Sequence, residues 1–164
     1  MKILGIIPAR HGSKRVPHKN FRPFAGTSLI DLAIKQALEA KKLDRIVVNS
    51  DSPEVLKAAK AYMKQGVEVL ERPEALATDT APAIDYMLQT ISYYEDRGER
   101  YDLIVIIQPS SPLRTGADID ATITLLETNP TADSAVSVVS VGHMVHPHKL
   151  KRMEGNALIP WLVD

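Results

Sequence analysis

Residues 2–20 read Lys2-Ile3-Leu4-Gly5-Ile6-Ile7-Pro8-Ala9-Arg10-His11-Gly12-Ser13-Lys14-Arg15-Val16-Pro17-His18-Lys19-Asn20. The stretch Lys2 to Ile7 is a strand candidate, apolar almost throughout, as a strand inside a covered parallel sheet is. It empties into a loop carrying Arg10, Lys14, Arg15 and Lys19, with Gly12 and Ser13 at its turn. Gly12 and Ser13 let backbone N–H groups approach an anion, and the cations around them complete a cradle for a polyphosphate at the carboxyl end of a strand. Neither GxxxxGK[ST] nor GxGxxG is present, so this is not a P-loop or a dinucleotide fingerprint. Basic runs are most often solvated surface. Its place at a strand exit, where open α/β sheets hold their ligands, favours a binding loop instead.

Working outward, strand-like and helix-like patterns alternate. Leu29 to Ala40 places Leu29, Leu32, Ala33, Gln36, Ala37 and Ala40 at helical spacing. Arg45 to Asn49 is short and β-branched, hence a strand. Pro53 to Lys64 reads as a helix with Ser52 as N-cap and Pro53 at N1, closed by Gly66. Val67 to Leu70 is the next strand and Thr80 to Asp96 the next helix. Leu103 to Ile107 reads as a strand covered on both faces, Asp118 to Glu127 as a helix, and Ala135 to Val141 as a further strand. Such alternation predicts an α/β fold with a mainly parallel, twisted sheet. One domain over residues 1–164 suits the length. The loops after Ile7, Asn49, Leu70 and Ile107 are then the ones to watch.

Lys plus Arg number 20 and Asp plus Glu number 20, a formal net charge of zero. That balance argues against a nucleic-acid or membrane-surface binder. No segment approaches the roughly 20 apolar residues of a membrane span, and Ile3–Ile7 is too short for a secretory leader. With no cysteine, disulfide and thiolate chemistry are excluded, and a cytoplasmic location is the expectation. His143, His146 and His148 lie close together, but two flank Pro147 and no fourth ligand stands nearby, so a structural or surface role is preferred to metal.

Four stretches in order carry a resemblance: Ile7 to Asn20, Arg72-Pro73-Glu74-Ala75-Leu76-Ala77-Thr78-Asp79-Thr80, Gln108-Pro109-Ser110-Ser111-Pro112-Leu113-Arg114, and His146-Pro147-His148-Lys149. Together they resemble the sugar-acid cytidylyltransferases, most of all the N-acylneuraminate type. The resemblance implies a Rossmann-like three-layer αβα fold of the nucleotide-diphospho-sugar transferase type. It implies transfer of CMP from CTP to the anomeric hydroxyl of a 2-keto sugar acid, with release of pyrophosphate. Sialic acid is one acceptor; legionaminic, pseudaminic and 3-deoxy-manno-octulosonic acids are the alternatives. By the same resemblance the nucleotide-binding set is Arg10, Gly12, Ser13, Lys14, Lys19, Asn20, Arg72 and Ala81. Arg10, Ser13 and Lys19 would hold the triphosphate, Asn20 the nucleoside, and Arg72 with the backbone near Ala81 the cytosine. Arg10 and Lys19 are the pair assigned to catalysis. Gln108, Ser110 and Ser111 would face the sugar acid, and Lys149 its carboxylate or a phosphate. Magnesium and a homodimer are implied too, with the family's Asp-x-Asp metal ligands expected beyond Asp164.

Plainer readings stand beside these. Gln108 to Pro112 is also what a strand exit with turn residues looks like. Arg72 has Glu71 and Glu74 as surface ion-pair partners. Asp79, with Thr78 and Thr80, reads as an N-cap box rather than a metal ligand, and Asp51 as a cap or turn residue on the active edge. Trp161 reads as core or interface rather than as a sugar platform. Two departures from the family pattern matter. Ala81-Pro82-Ala83 replaces small hydroxyl residues, which removes a side-chain contact to cytosine at Ala83. No segment matches the family's metal site and dimer arm, which keeps open a catalytically inactive nucleotide-binding or assembly module.

Overall fold

The computed structural model describes residues 1–12, 16–140 and 150–161. Its elements in chain order are β1 (Ile3–Pro8), β2 (Pro23–Phe24), β3 (Thr27–Ser28), α1 (Leu29–Glu39), β4 (Arg45–Ser50), α2 (Pro53–Lys60), β5 (Val67–Glu71), α3 (Ala83–Glu95), β6 (Leu103–Ile106), α4 (Gly116–Glu127), β7 (Lys151–Glu154) and β8 (Ala157–Pro160). The main sheet runs β5-β4-β1-β6 and every pairing in it is parallel. β1 sits inside, with Ile6 against both Val47 of β4 and Ile106 of β6.

The period-two alternation of these strands builds two cores. Ile3 and Ile7 of β1, with Ile46, Val48 and Val67, meet α1 through Ile30 and Ile34, α2 through Val55, and α4 through Ile119 and Ile123. Leu4, Ile6, Val47 and Leu70 point the other way, onto Tyr86 and Tyr94 of α3. The result is the three-layer αβα arrangement, and each buried aliphatic side chain in it contributes about 1.5–3 kcal/mol. The helices start where polar caps satisfy their first N–H groups. Ser28 accepts from the Asp31 amide, Ser52 from Val55, and Thr115 with Asp118 forms a reciprocal capping box. α4 begins two residues before the expected Asp118, because Gly116 nests against the end of α1. A Cβ there would stand 2.7 Å from the Glu39 carbonyl carbon.

At the amino ends of the strands a polar cluster closes the sheet. Arg45 pairs with Glu68 and Glu99 and donates from Nε to Tyr101 Oη at 3.3 Å. Tyr94 donates to Glu68 at 2.9 Å, and Lys2 reaches Glu99 at 3.2 Å. Burial pushes the Tyr94 hydroxyl pKa well up, and its hydrogen bond to Glu68 adds to that.

Several expectations need correction. Residues 135–140 form no strand, and Val136, Val138 and Val139 are 78%, 88% and 81% exposed. A β-branched run becomes a strand only where neighbours pack on it, and here none does; Val141 lies outside the described residues. β6 is covered less than expected: Leu103 to Ile106 are half-buried, and among the described residues β6 pairs with β1 alone. α3 starts at Ala83 rather than Thr80, after Pro82 in extended conformation. α2 stops at Lys60, and a 3-10 turn at Met63–Gln65 carries the chain to Gly66. Trp161 is 59% exposed, not core. The β2–β3 hairpin was not foreseen; Ala25 (φ 49°) and Gly26 (φ 79°) both turn left-handed between its strands.

Candidate nucleotide site

Because the strands are parallel, the exits of β1, β4, β5 and β6 open on one edge of the sheet. A cavity of about 710 Å³ lies there. Arg10, Lys19 and Asn20 line it from the loop after β1, Arg72 from the end of β5, and Gln108 with Pro109 from the loop after β6. Asp79, Ala83 and Tyr86 complete the wall.

The β1 loop is fixed at several points. The Ala9 amide donates to the Asn49 carbonyl at 3.1 Å, and Ser50 Oγ donates to the Ala9 carbonyl. The His11 amide donates to Asp51 Oδ1 at 2.8 Å. Asp51 thus ties down the loop, a variant of the turn role expected of it. Asn20 is buried and donates from Nδ2 to the Arg10 carbonyl at 3.2 Å. His18 holds a left-handed conformation (φ 52°) just before the 3-10 turn Lys19–Phe21, a strained geometry that sets where Lys19 emerges. Arg10 reaches from this loop to Asp79, Nη1 to Oδ1 at 2.8 Å, and to the Thr78 carbonyl at 3.3 Å.

Arg72 is a buried residue and makes no ion pair among the described residues, so the surface-pair reading falls. Its amide donates to the Ser50 carbonyl at 2.9 Å. Its Nε donates to Asn49 Oδ1 at 2.6 Å and its Nη2 to the Asn49 carbonyl at 3.1 Å. Asn49 is oriented in turn by donating to Gln89 Oε1 at 2.8 Å and Thr90 Oγ1 at 2.9 Å. The guanidinium carbon lies 4.4 Å from the Tyr86 ring centroid. Burial pulls the Arg72 pKa down while Asp51 pulls it up, and an arginine in such a setting stays cationic.

On the third wall, Arg114 holds the loop after β6. Its Nη1 donates to the Gln108 carbonyl at 3.2 Å and its Nη2 to Gln36 Oε1 at 3.1 Å, while Gln36 donates to the Pro112 carbonyl at 2.8 Å. The motif Gln108 to Arg114 is therefore a braced loop that aims Gln108 at the cavity.

Of the residues singled out from sequence, Arg10, Lys19, Asn20, Arg72 and Gln108 come together. Gly12, Ser110 and Ser111 are exposed and do not line the cavity. Neither does Ala81, whose amide already donates to Thr78 Oγ1 at 3.0 Å. Ser13, Lys14 and Lys149, and the histidines at 143, 146 and 148, lie outside the described residues. Asp79 is not the N-cap of α3: Pro82 holds that position, and Thr78 caps the turn while Asp79 engages Arg10. Sequence reasoning missed Tyr86, Asn49 and Arg114 as parts of the site. Tyr86, Thr90 and Tyr94 recur every fourth residue along the buried side of α3, a signal that was present.

The arrangement can neutralise several negative charges at one end, through Arg10 and Lys19, and present a cationic fork at the other, through Arg72. Magnesium takes oxygen ligands, commonly one or two carboxylates beside substrate phosphates. Asp79 is the one carboxylate lining the cavity among the described residues, and it is engaged by Arg10. No three metal-ligating side chains converge among those residues, so they do not fit a magnesium centre. No described helix is long and apolar enough to cross a membrane.

Residues 4–158 match the family model described as Cytidylyltransferase. N-acylneuraminate cytidylyltransferase of Escherichia coli O18:K1:H7 is 34% identical over 84% of this chain and 31% of its own length. CMP-N,N'-diacetyllegionaminic acid synthase of Legionella pneumophila is 32% identical over 94% of this chain and 70% of its own. Among solved structures, CMP:2-keto-3-deoxy-manno-octonic acid synthetase complexed with CTP superposes with a TM-score of 0.64 at 22% identity, over 79% of this chain and 49% of that one. At that identity the likeness speaks for the fold. The chain thus spans between 31% and 70% of the length of these relatives.

Proposed function

The chain belongs to the cytidylyltransferase family, and from that premise we propose that it transfers CMP from CTP to the anomeric hydroxyl of a 2-keto sugar acid. The observation that carries this reading is the convergence of Arg10, Lys19, Asn20 and Arg72 on one cavity at the carboxyl ends of parallel strands. In this reading Arg10 and Lys19 hold the phosphates and Arg72 meets the cytosine, while Gln108 faces the acceptor. The attacking oxygen forms a new bond to the α-phosphorus as the bridge to the β-phosphorus opens, and pyrophosphate leaves with the electron pair. Such a transfer depends on positioning and charge neutralisation rather than on a covalent enzyme intermediate.

The acceptor is a nonulosonic acid of the sialic or legionaminic type, or a related 2-keto acid. Both types appear among the relatives, by their names. The working unit we infer is a homodimer with magnesium supplied to the nucleotide. Calorimetric titration with CTP, UTP and ATP tests the first step, and equal or absent binding of all three overturns the reading. Pyrophosphate release measured with sialic, legionaminic, pseudaminic and 3-deoxy-manno-octulosonic acids then names the acceptor. CTP binding without release for any acid would mark a binding module instead.

A further inference from the structure

Arg72 is a buried cation that makes no ion pair among the described residues, although the charge of Asp51 acts on it. Its Nε and Nη2 are taken by Asn49, and its guanidinium carbon lies over the Tyr86 ring, 4.4 Å from the centroid. Tyr86 is 6% exposed, lines the cavity beside Ala83 and sits in the first turn of α3. Its hydroxyl is buried and has no hydrogen-bond partner among the described residues. A buried phenol normally finds a partner, so what this side chain supplies at the site is its ring. We propose that Tyr86 is a positioning residue, whose π face holds the Arg72 guanidinium at the base end of the cavity in place of a counter-ion. The proposal rests on the reading that Arg72 meets the cytosine.

The arrangement has a chemical logic. A carboxylate under Arg72 would neutralise it and compete with the ligand for its donors. An aromatic face attracts the cation through its quadrupole, takes no N–H donor, and leaves Nη1, which makes no hydrogen bond among the described residues, for the ligand. Asn49 holds the guanidinium edge, and the Tyr86 ring lies beneath its central carbon. This chain also has Ala83 beside the ring, so the base end depends on Arg72 rather than on a neighbouring hydroxyl.

The test uses the whole chain with Tyr86→Phe, Tyr86→Leu and Tyr86→pentafluorophenylalanine. Affinities for CTP and for inorganic tripolyphosphate are measured by calorimetry, with thermal unfolding as a check on the fold. Tyr86→Phe is expected to bind CTP within about twofold of the parent, because the face is kept. Tyr86→Leu should weaken CTP by roughly 5- to 30-fold, the range of a desolvated cation–π contact, while tripolyphosphate changes less than about twofold. The fluorinated ring keeps the packing and inverts the charge of the face, so it should lose CTP as Leu does. That arm decides the matter even where Tyr86→Leu folds poorly. A fluorinated variant that binds CTP like Phe overturns the proposal, and so does a Phe variant as weak as Leu. If the parent protein itself binds no CTP, the functional reading falls and this inference with it. Normal parent binding with an insensitive fluorinated variant sinks the inference alone.

Discussion

Replacing Arg10 with alanine is the perturbation that bears most directly on the phosphate end of the cavity. In the free protein the guanidinium is already engaged, 2.8 Å from Asp79 with both side chains about 40% exposed. A pair that open to water stabilises by only about 0.2–1 kcal/mol. A charge-assisted contact to a triphosphate is worth about 1.5–3 kcal/mol. If binding draws Arg10 from Asp79, the net loss on Arg10→Ala is about 0.5–2.8 kcal/mol, a rise in Kd of roughly 2- to 110-fold. Calorimetry should show this for CTP, with a smaller change for CMP, which lacks the outer phosphates. The variant should also lose part of the salt dependence between 0.05 and 0.3 M, a range over which screening shortens from about 14 to 6 Å. Asp79→Asn in the parent should tighten CTP by up to about fivefold, since it frees Arg10 and removes a negative charge from the cavity wall. An Arg10→Ala protein that binds CTP within twofold of the parent, or that weakens CTP and CMP alike, would refute the assignment of this arginine to the phosphates.

Three further outcomes follow from the geometry. Gln108→Ala should leave the CTP Kd within about twofold while cutting pyrophosphate release at subsaturating sugar acid, because Gln108 is a neutral lining residue and the charged contacts come from Arg10, Lys19 and Arg72. Gly116→Ala forces a Cβ to 2.7 Å from the backbone of Glu39 and should cost about 1–3 kcal/mol, seen as a drop in Tm of roughly 3–10 °C. Glu99 carries a pKa below its ordinary value of 4.5 because it accepts hydrogen bonds from Lys2 and then Tyr101. A carboxylate depressed in the fold contributes stability above its unfolded pKa and loses it as pH falls through the folded one. Glu99→Gln should therefore flatten the acid limb of a stability profile below about pH 4.5 and lower stability at pH 7.

How much of this could be read from the chain depends on how local each cause is. The strand exits at Ile7, Asn49, Leu70 and Ile107 were legible because a polar residue ending an apolar run is a local signal. Ser52 and Pro53 announced α2 for the same reason. The resemblance assigned Arg72 to the site, but its burial could not be read from pattern, because it depends on Asn49, Tyr86 and Thr90, each brought in from another element. Asp79 was misjudged because its partner, Arg10, is far off in sequence. The run from Ala135 showed the limit of β propensity: Val136, Val138 and Val139 stay exposed where no strand among the described residues receives them. The Ala25–Gly26 turn went unseen because alanine gives little warning of a positive φ.

The last two residues of β4 grip both walls of the cavity at once. Asn49 accepts from Ala9 on one side and from Arg72 on the other, and Ser50 bonds the same two neighbours. One strand end therefore acts as a calliper whose jaws are Arg10 and Arg72. The backbone behind both jaws is tied to the same two residues, so a shift of β4 would move them together. A nucleoside monophosphate would fill one jaw only, whereas a triphosphate would fill both.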